Sequence, residues 1–198
     1  MTPEDLDNTF NNIIRDIESD GMGRVMVQVG SAALALIRDR VQKTGQDAEG
    51  GQYKPYSTKP MLSGCKNMLK GSCEKVIGSK EKRREKKWVT LQSGGKNVHL
   101  FEIPGGYKEF REINGRQTGF VDFSFSGRMW ANIKVVSDNS EHNAGVARIG
   151  TTIAEVNDIL EGNTKRRTDI LKLSKGELND LSGMFNLGIT QIFHNHGL

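Results

Sequence analysis

GFVDFSFSGRMWANIKVV, from Gly119 to Val136, carries apolar side chains on one parity at Val121, Phe123, Phe125, Met129, Ala131, Ile133 and Val135, interrupted only by Gly127. Successive side chains of a strand leave opposite faces of its sheet. This period of two therefore predicts extended chain buried on one side, with Asp122, Ser124 and Lys134 on the wet side. A serine followed by a glycine is as good a turn or helix start as a strand interior. Ser126-Gly127 divides the run, and the reading is two strands joined by a short turn, forming a core element against the helices on either side of it in sequence.

Those helices lie at the two ends of the chain. Thr2-Pro3-Glu4-Asp5 has the form of a helix start, with a capping hydroxyl, proline at the first helical position and acids at the positive end of the dipole. Leu6, Phe10, Ile13, Ile14 and Ile17 then recur on one face, and Ser19-Asp20-Gly21 is the expected end. A second helix is predicted from about Arg24 to Lys43, its apolar side running from Val25 to Val41, with Gly45 as its stop. Near the C-terminus, Ser174 followed three residues later by Glu177 is a capping box. The stripe Leu178, Leu181, Phe185, Ile189, Ile192 and Phe193 continues from it. Gly183 and Gly188 each weaken that helix by about 1 kcal/mol relative to alanine, so packing must hold it.

Between these ends the signals are shorter. Thr44 to Pro60 is a Gly-, Gln-, Pro- and Ser-rich loop in which Tyr53 and Tyr56 flank Pro55. The two rings read as anchors of the loop on the sheet, and as candidate oligomer or partner contacts. Met61 to Lys87 has sparse apolar residues and forces no fold. Trp88–Gln92 and Val98–Ile103 around Ser93-Gly94-Gly95-Lys96-Asn97 predict a hairpin, ended by Pro104-Gly105-Gly106. Tyr107 to Gly115 reads as one irregular strand or a loop. Ser137 to Gly145 is a polar turn, Val146–Gly150 a short strand, and Thr152–Leu160 a helix closed by Gly162-Asn163.

The 198 residues, 35% of them hydrophobic, are enough for one ordinary core, so a single domain over 1–198 with an insertion at 61–106 is the expected organisation. The fold class is α+β: a twisted, mainly antiparallel sheet with N-terminal and C-terminal helices packed on one face, plus the long loop and hairpin insertion. No apolar run approaches the roughly eighteen residues of a membrane span, and the acidic amphipathic N-terminus is unlike a signal peptide. A soluble protein made in a cytoplasm is the expectation, without membrane contact. Cys65 and Cys73 fit neither a secreted disulfide framework nor a common zinc site. They are read as thiols, a local disulfide being the minor alternative.

Catalytic signatures are absent. There is no GxSxG elbow, no GxxxxGK[ST] and no GxGxxG after a strand. His194 and His196 could share an ion, but no third ligand can be named and a solvated tail is the plainer reading. No enzyme activity, no cofactor and no metal are expected. The strongest electrostatic feature is local: Lys66 to Lys87 holds nine Lys/Arg against three Glu, while the whole chain is only +4. Lys80, Lys82, Arg83, Arg84, Lys86 and Lys87 could attract phosphates by counterion release, and Trp88 could stack on a base. These seven residues are the candidate contacts for DNA or for an acidic partner. A solvated loop, or a basic loop meeting an acidic face such as Glu18-Ser19-Asp20 of another subunit, are the competing readings.

The order of phrases along the chain adds to this. Gly51-Gln52-Tyr53-Lys54-Pro55-Tyr56-Ser57 precedes Phe125-Ser126-Gly127-Arg128-Met129-Trp130-Ala131-Asn132-Ile133, then Ile149-Gly150, Ala154 to Gly162, and Arg167-Thr168-Asp169-Ile170-Leu171 before the Leu173-Ser174 helix. That order resembles the tailed-phage virion-morphogenesis and tail-completion proteins, the neck and tail-terminator group. In that group a glycine, aromatic and Pro-x-Ser loop precedes a TG-x-L-x-x-S-I phrase. The resemblance covers about two thirds of the chain and excludes roughly Met61 to Gly106; Tyr53 stands where tryptophan is usual, and Ser126 where threonine is. It implies a structural virion protein assembled in the bacterial host cytoplasm as a ring, commonly of six subunits. The ring would sit at the head–tail junction or tail end, joined to tail-tube and neck or connector proteins, with non-specific DNA contact in its lumen. The alternative is a basic nucleic-acid-binding protein acting through the Lys80–Trp88 loop.

Overall fold

Thr2 caps the first helix as its position predicts. Its side chain accepts from the Asp5 N–H while Asp5 accepts from the Thr2 N–H, opening α1 (Pro3–Asp16). The computed structural model describes residues 2–73, 88–93, 95–138 and 146–198, which form two compact units, 1–52 with 127–198, and Tyr53–Ser126. The second unit, Tyr53–Ser126, contains residues 61–106. The class is α+β, with six helices among the described residues, a three-stranded antiparallel sheet and a two-stranded sheet. There are thus two sheets where a single twisted one was expected.

In the unit made of both chain ends, α1 does not stop at Gly21. The backbone stays right-handed helical through one π turn at Ile17–Gly21 and enters α2 (Met22–Asp39) without a break. A Cβ on Gly21 would lie 2.7 Å from the Asp16 carbonyl oxygen, so the widened turn closes only around a glycine. A second π turn, Arg40–Thr44, ends at Gly45, which takes φ +67°.

The helix α2 lies against both strands of the smaller sheet, β4 (Lys134–Asp138) and β5 (Val146–Gly150), which pair antiparallel from Lys134↔Gly150 to Asp138↔Val146. Gly30 makes that approach close, since a Cβ there would meet Val135 Cγ1 at 2.8 Å and Ala147 Cβ at 3.0 Å. On the same helix α6 (Lys175–Asn195) packs antiparallel: Arg40 meets Glu177 at one end and Val25 meets Gly188 further along. The predicted Ser174–Glu177 capping box is present. The helix α5 (Ala154–Arg166) runs four residues past the expected stop at Gly162, because in the middle of a helix a glycine weakens but does not terminate.

The opening stretch behaves differently from its alternation. Lys134 onward is strand, but Gly119–Ser126 is irregular, and Arg128–Asn132 is a short helix, α4. Gly127, at φ +78°, starts that helix instead of turning between two strands. Met129 and Ile133 are buried because they sit one helical turn apart, a spacing that also satisfies a period of two. Asp122, expected on the wet side, is buried next to buried Val121, and Phe123 takes φ +51°. Arg38 of α2 receives the end of α4, donating from Nη2 to the carbonyls of Trp130 and Ile133.

In the Tyr53–Ser126 unit the predicted hairpin forms. β2 (Trp88–Ser93) and β3 (Lys96–Ile103) pair from Trp88↔Phe101 to Ser93↔Lys96. The short β1 (Met61–Ser63) joins the other side of β3, giving the order β1-β3-β2. Gly106–Ile113, expected as strand or loop, is a helix, α3. It can start only on glycine: Gly106 has φ +67°, and a Cβ would lie 2.3 Å from the Lys59 carbonyl oxygen. Phe110 of α3 closes over Phe101 and Ile103. Cys65 and Cys73 are joined in a disulfide, because the 3-10 turn Cys65–Asn67 folds the chain back to a Cα separation of 5.2 Å; the expected thiols are corrected accordingly.

Candidate assembly surface

The α2–α6 pairing determines what α1 can bury. Arg40 faces Glu177 and Val25 faces Gly188 along α2, and Asp16, the last residue of α1, faces His196 just past the end of α6. Pro3 to about Asn12 lie beyond that end. Of the five apolar residues expected to face inward, Ile13 is buried, Ile17 is half-buried, and Leu6, Phe10 and Ile14 are 38%, 46% and 50% exposed. At helical spacing these three form one stripe, continuous with Ile13 and Ile17. On the C-terminal helix, separately from that stripe, Met184 and Leu187 are also exposed, the latter at 72%. The chain thus presents an apolar helix face of the kind that marks protein–protein contact.

The C-terminal tail is not frayed. His196 Nε2 lies 3.3 Å from Asp16 Oδ2, and the backbone folds back through Leu198 N–H donating to the Phe193 carbonyl. His196 is therefore a structural clasp at the joint between α1 and α2. Among the described residues no three His, Cys, Asp or Glu side chains gather as metal ligands, and no helix is long and apolar enough to cross a membrane.

Tyr53 and Tyr56 are both buried within the Tyr53–Ser126 unit, and they anchor on the irregular stretch and on α3, not on a sheet. Tyr53 meets Phe123 edge-on at 4.8 Å. The Tyr56 hydroxyl donates to Asp122 at 2.9 Å, and its ring lies 4.3 Å from the Arg111 guanidinium. Burial pushes the phenol well above its usual range. Arg111 and Asp122 complete this network and had no sequence signature: one sat in a charged run and the other on the supposed wet parity. The spacing Tyr107, Phe110, Asn114 was the available sign of the helix that carries Arg111.

Trp88 is the first residue of β2; it is 36% exposed and meets Phe101 edge-on at 5.6 Å. Lys80, Lys82, Arg83, Arg84, Lys86 and Lys87 lie outside the described residues. Comparison with family models, with curated proteins and with solved structures finds no match to this chain.

Proposed function

We propose that this chain is a structural virion protein of a tailed phage, a tail-completion, terminator or connector subunit that forms a ring at the head–tail junction or the tail end. The observation that carries the reading is the exposed stripe Leu6, Phe10 and Ile14 on a helix that overhangs its own unit. Such a stripe is stable in water only at a cost, and a neighbouring subunit or tail component removes that cost. The resemblance in the order of phrases supplies the class. In this role the chain works by shape and contact, without catalysis. It assembles in the bacterial host cytoplasm and binds tail-tube and neck or connector proteins, with Lys80, Lys82, Arg83, Arg84, Lys86, Lys87 and Trp88 as candidate contacts for non-specific DNA in the lumen.

The test is mass photometry of the purified protein, alone and with tail-tube protein, together with immunogold localisation on particles. Rings and labelled necks or tail ends are expected. Leu6→Lys with Phe10→Lys should abolish the rings while leaving the circular dichroism spectrum unchanged. A strict monomer absent from virions overturns the reading.

A further inference from the structure

Residues 64–73 are held to the rest of the Tyr53–Ser126 unit by packing, by a hydrogen bond and by a covalent bond that chemistry can open. β1 ends at Ser63, opposite Phe101, and buried Gly64 leads into the 3-10 turn Cys65–Asn67. Beyond that turn Met68 packs on the cluster Phe101, Ile103 and Phe110. The Leu69 N–H donates to Asn114 Oδ1 at 2.7 Å, and Asn114 Nδ2 is itself fixed on the Phe110 carbonyl at 2.6 Å, so the segment is tied to the end of α3. The Leu69 carbonyl in turn accepts from the N–H of buried Ser72. The Cys65–Cys73 disulfide closes a ring around these contacts.

Two features make this bond exchangeable. Cys65 is exposed and Cys73 half-buried, so a small thiol or disulfide reaches it without unfolding of the chain, and exposed disulfides are the labile ones. Lys66 and Lys70 lie inside the ring and are exposed, giving it a positive charge that attracts an anionic reagent such as glutathione. Neither sulfur takes part in the Met68 packing or in the Leu69–Asn114 hydrogen bond, so both survive opening of the ring, with one tether fewer. We propose that Cys65–Cys73 is a redox-operated staple, two thiols in a reducing medium and a disulfide in an oxidising one, whose state sets how firmly residues 64–73 are held on α3.

Closure is thiol–disulfide exchange with a low-mass disulfide. The Cys65 thiolate attacks one sulfur of the reagent and releases the first reagent thiolate. The Cys73 thiolate then attacks Cys65 Sγ in the mixed disulfide and releases the second. The two protein sulfurs are oxidised by two electrons, the reagent is reduced to two thiols, and these take up the two protons that the protein thiols lose. Opening is the reverse, with two reagent thiols as the reductant.

The full chain equilibrated in mixtures of reduced and oxidised glutathione tests this, with thiols counted by maleimide mass shift and backbone opening read by hydrogen exchange. Both thiols should appear together in one transition as the mixture becomes reducing, with the circular dichroism spectrum unchanged. Across that transition the Leu69 and Ser72 amides should exchange at least about tenfold faster, while the Phe101 amide changes less than about twofold. Cys65→Ser and Cys73→Ser should each exchange like the reduced chain whatever the mixture. A bond that stays closed, or thiols that stay open, across the whole range overturns the proposal. So does a reduced chain that unfolds, or one whose Leu69 and Ser72 amides exchange as slowly as before. The inference does not rest on the virion reading: a chain that never joins particles leaves the staple standing, and particles built from a chain with an inert bond overturn only the staple.

Discussion

Arg111 and Asp122 face each other inside the Tyr53–Ser126 unit, Arg111 Nη2 donating to both carboxylate oxygens at 3.0 and 3.2 Å. Both are buried, and further hydrogen bonds hold each of them: Arg111 Nε donates to the Gln117 carbonyl, and Asp122 accepts from the Tyr56 hydroxyl and the Ser124 N–H. A buried pair of this kind is neutral to weakly favourable when complete and damaging when halved. Asp122→Ala should therefore cost about 3–5 kcal/mol by leaving the Arg111 charge uncompensated. Arg111→Met with Asp122→Leu should cost less than that single change. Urea denaturation, with hydrogen exchange locating the loss in residues 53–126, measures both, and equal losses would mean the pair is not coupled.

Gly188 and Gly183 are on one helix and should respond in opposite directions. A Cβ at Gly188 would meet Val25 Cγ1 at 2.7 Å, whereas nothing lies within 4 Å of one at Gly183. Gly183→Ala should raise stability by up to about 1 kcal/mol through helix propensity alone. Gly188→Ala gains the same propensity but must push α6 off α2, for a net loss of about 1–3 kcal/mol. Thermal denaturation of the two variants decides it, and a stabilised Gly188→Ala would refute the close approach.

How much of this was legible depends on how far each determinant reached along the chain. The Thr2 and Ser174 caps, the Gly45 stop and the Trp88–Ile103 hairpin are built from neighbours in sequence, and each is where its residues predict. The Gly119–Ser126 error has the opposite origin. Its alternation was real, but the tertiary pull of Arg111 on Asp122 and the positive φ of Phe123 override it. Exposure of Leu6 and Phe10 was equally hidden, since a periodic stripe says that a face is apolar and not what covers it. The α2–α6 register decides that, through contacts more than a hundred residues apart.

Ile133 keeps its predicted importance for a revised reason. It is 1% exposed immediately after α4, where its carbonyl accepts from Arg38, whereas Ala131 within that short helix is exposed. Ile133→Asp should prevent folding of the unit by burying an unpaired charge, while Ala131→Asp should change stability by less than about 0.5 kcal/mol. Soluble expression with hydrogen exchange separates them. A folded Ile133→Asp would show that the core does not close there.

Glu177 holds two positions at once, as third residue of the α6 capping box and as partner of Arg40, 2.8 Å from Nε. Burial works to raise its carboxyl, but the Arg40 hydrogen bond and the Ser174 N–H outweigh burial and hold it below the ordinary range. A carboxyl depressed in the folded state contributes stability above its unfolded value, about 4.3, and loses that contribution as pH falls through the folded value. Glutamine still completes a capping box, so Glu177→Gln removes the charge pairing with Arg40 and spares the cap. The variant should be less stable than the parent by about 1–3 kcal/mol near neutrality, the strength of a hydrogen bond to a charged group. That difference should shrink below about pH 4.3 and vanish once the native carboxyl is protonated, because both chains then carry a neutral residue there. Urea midpoints from pH 7 to pH 3 trace it, and a difference that stays constant with pH would mean that the charge of Glu177 contributes nothing to holding α6 on α2.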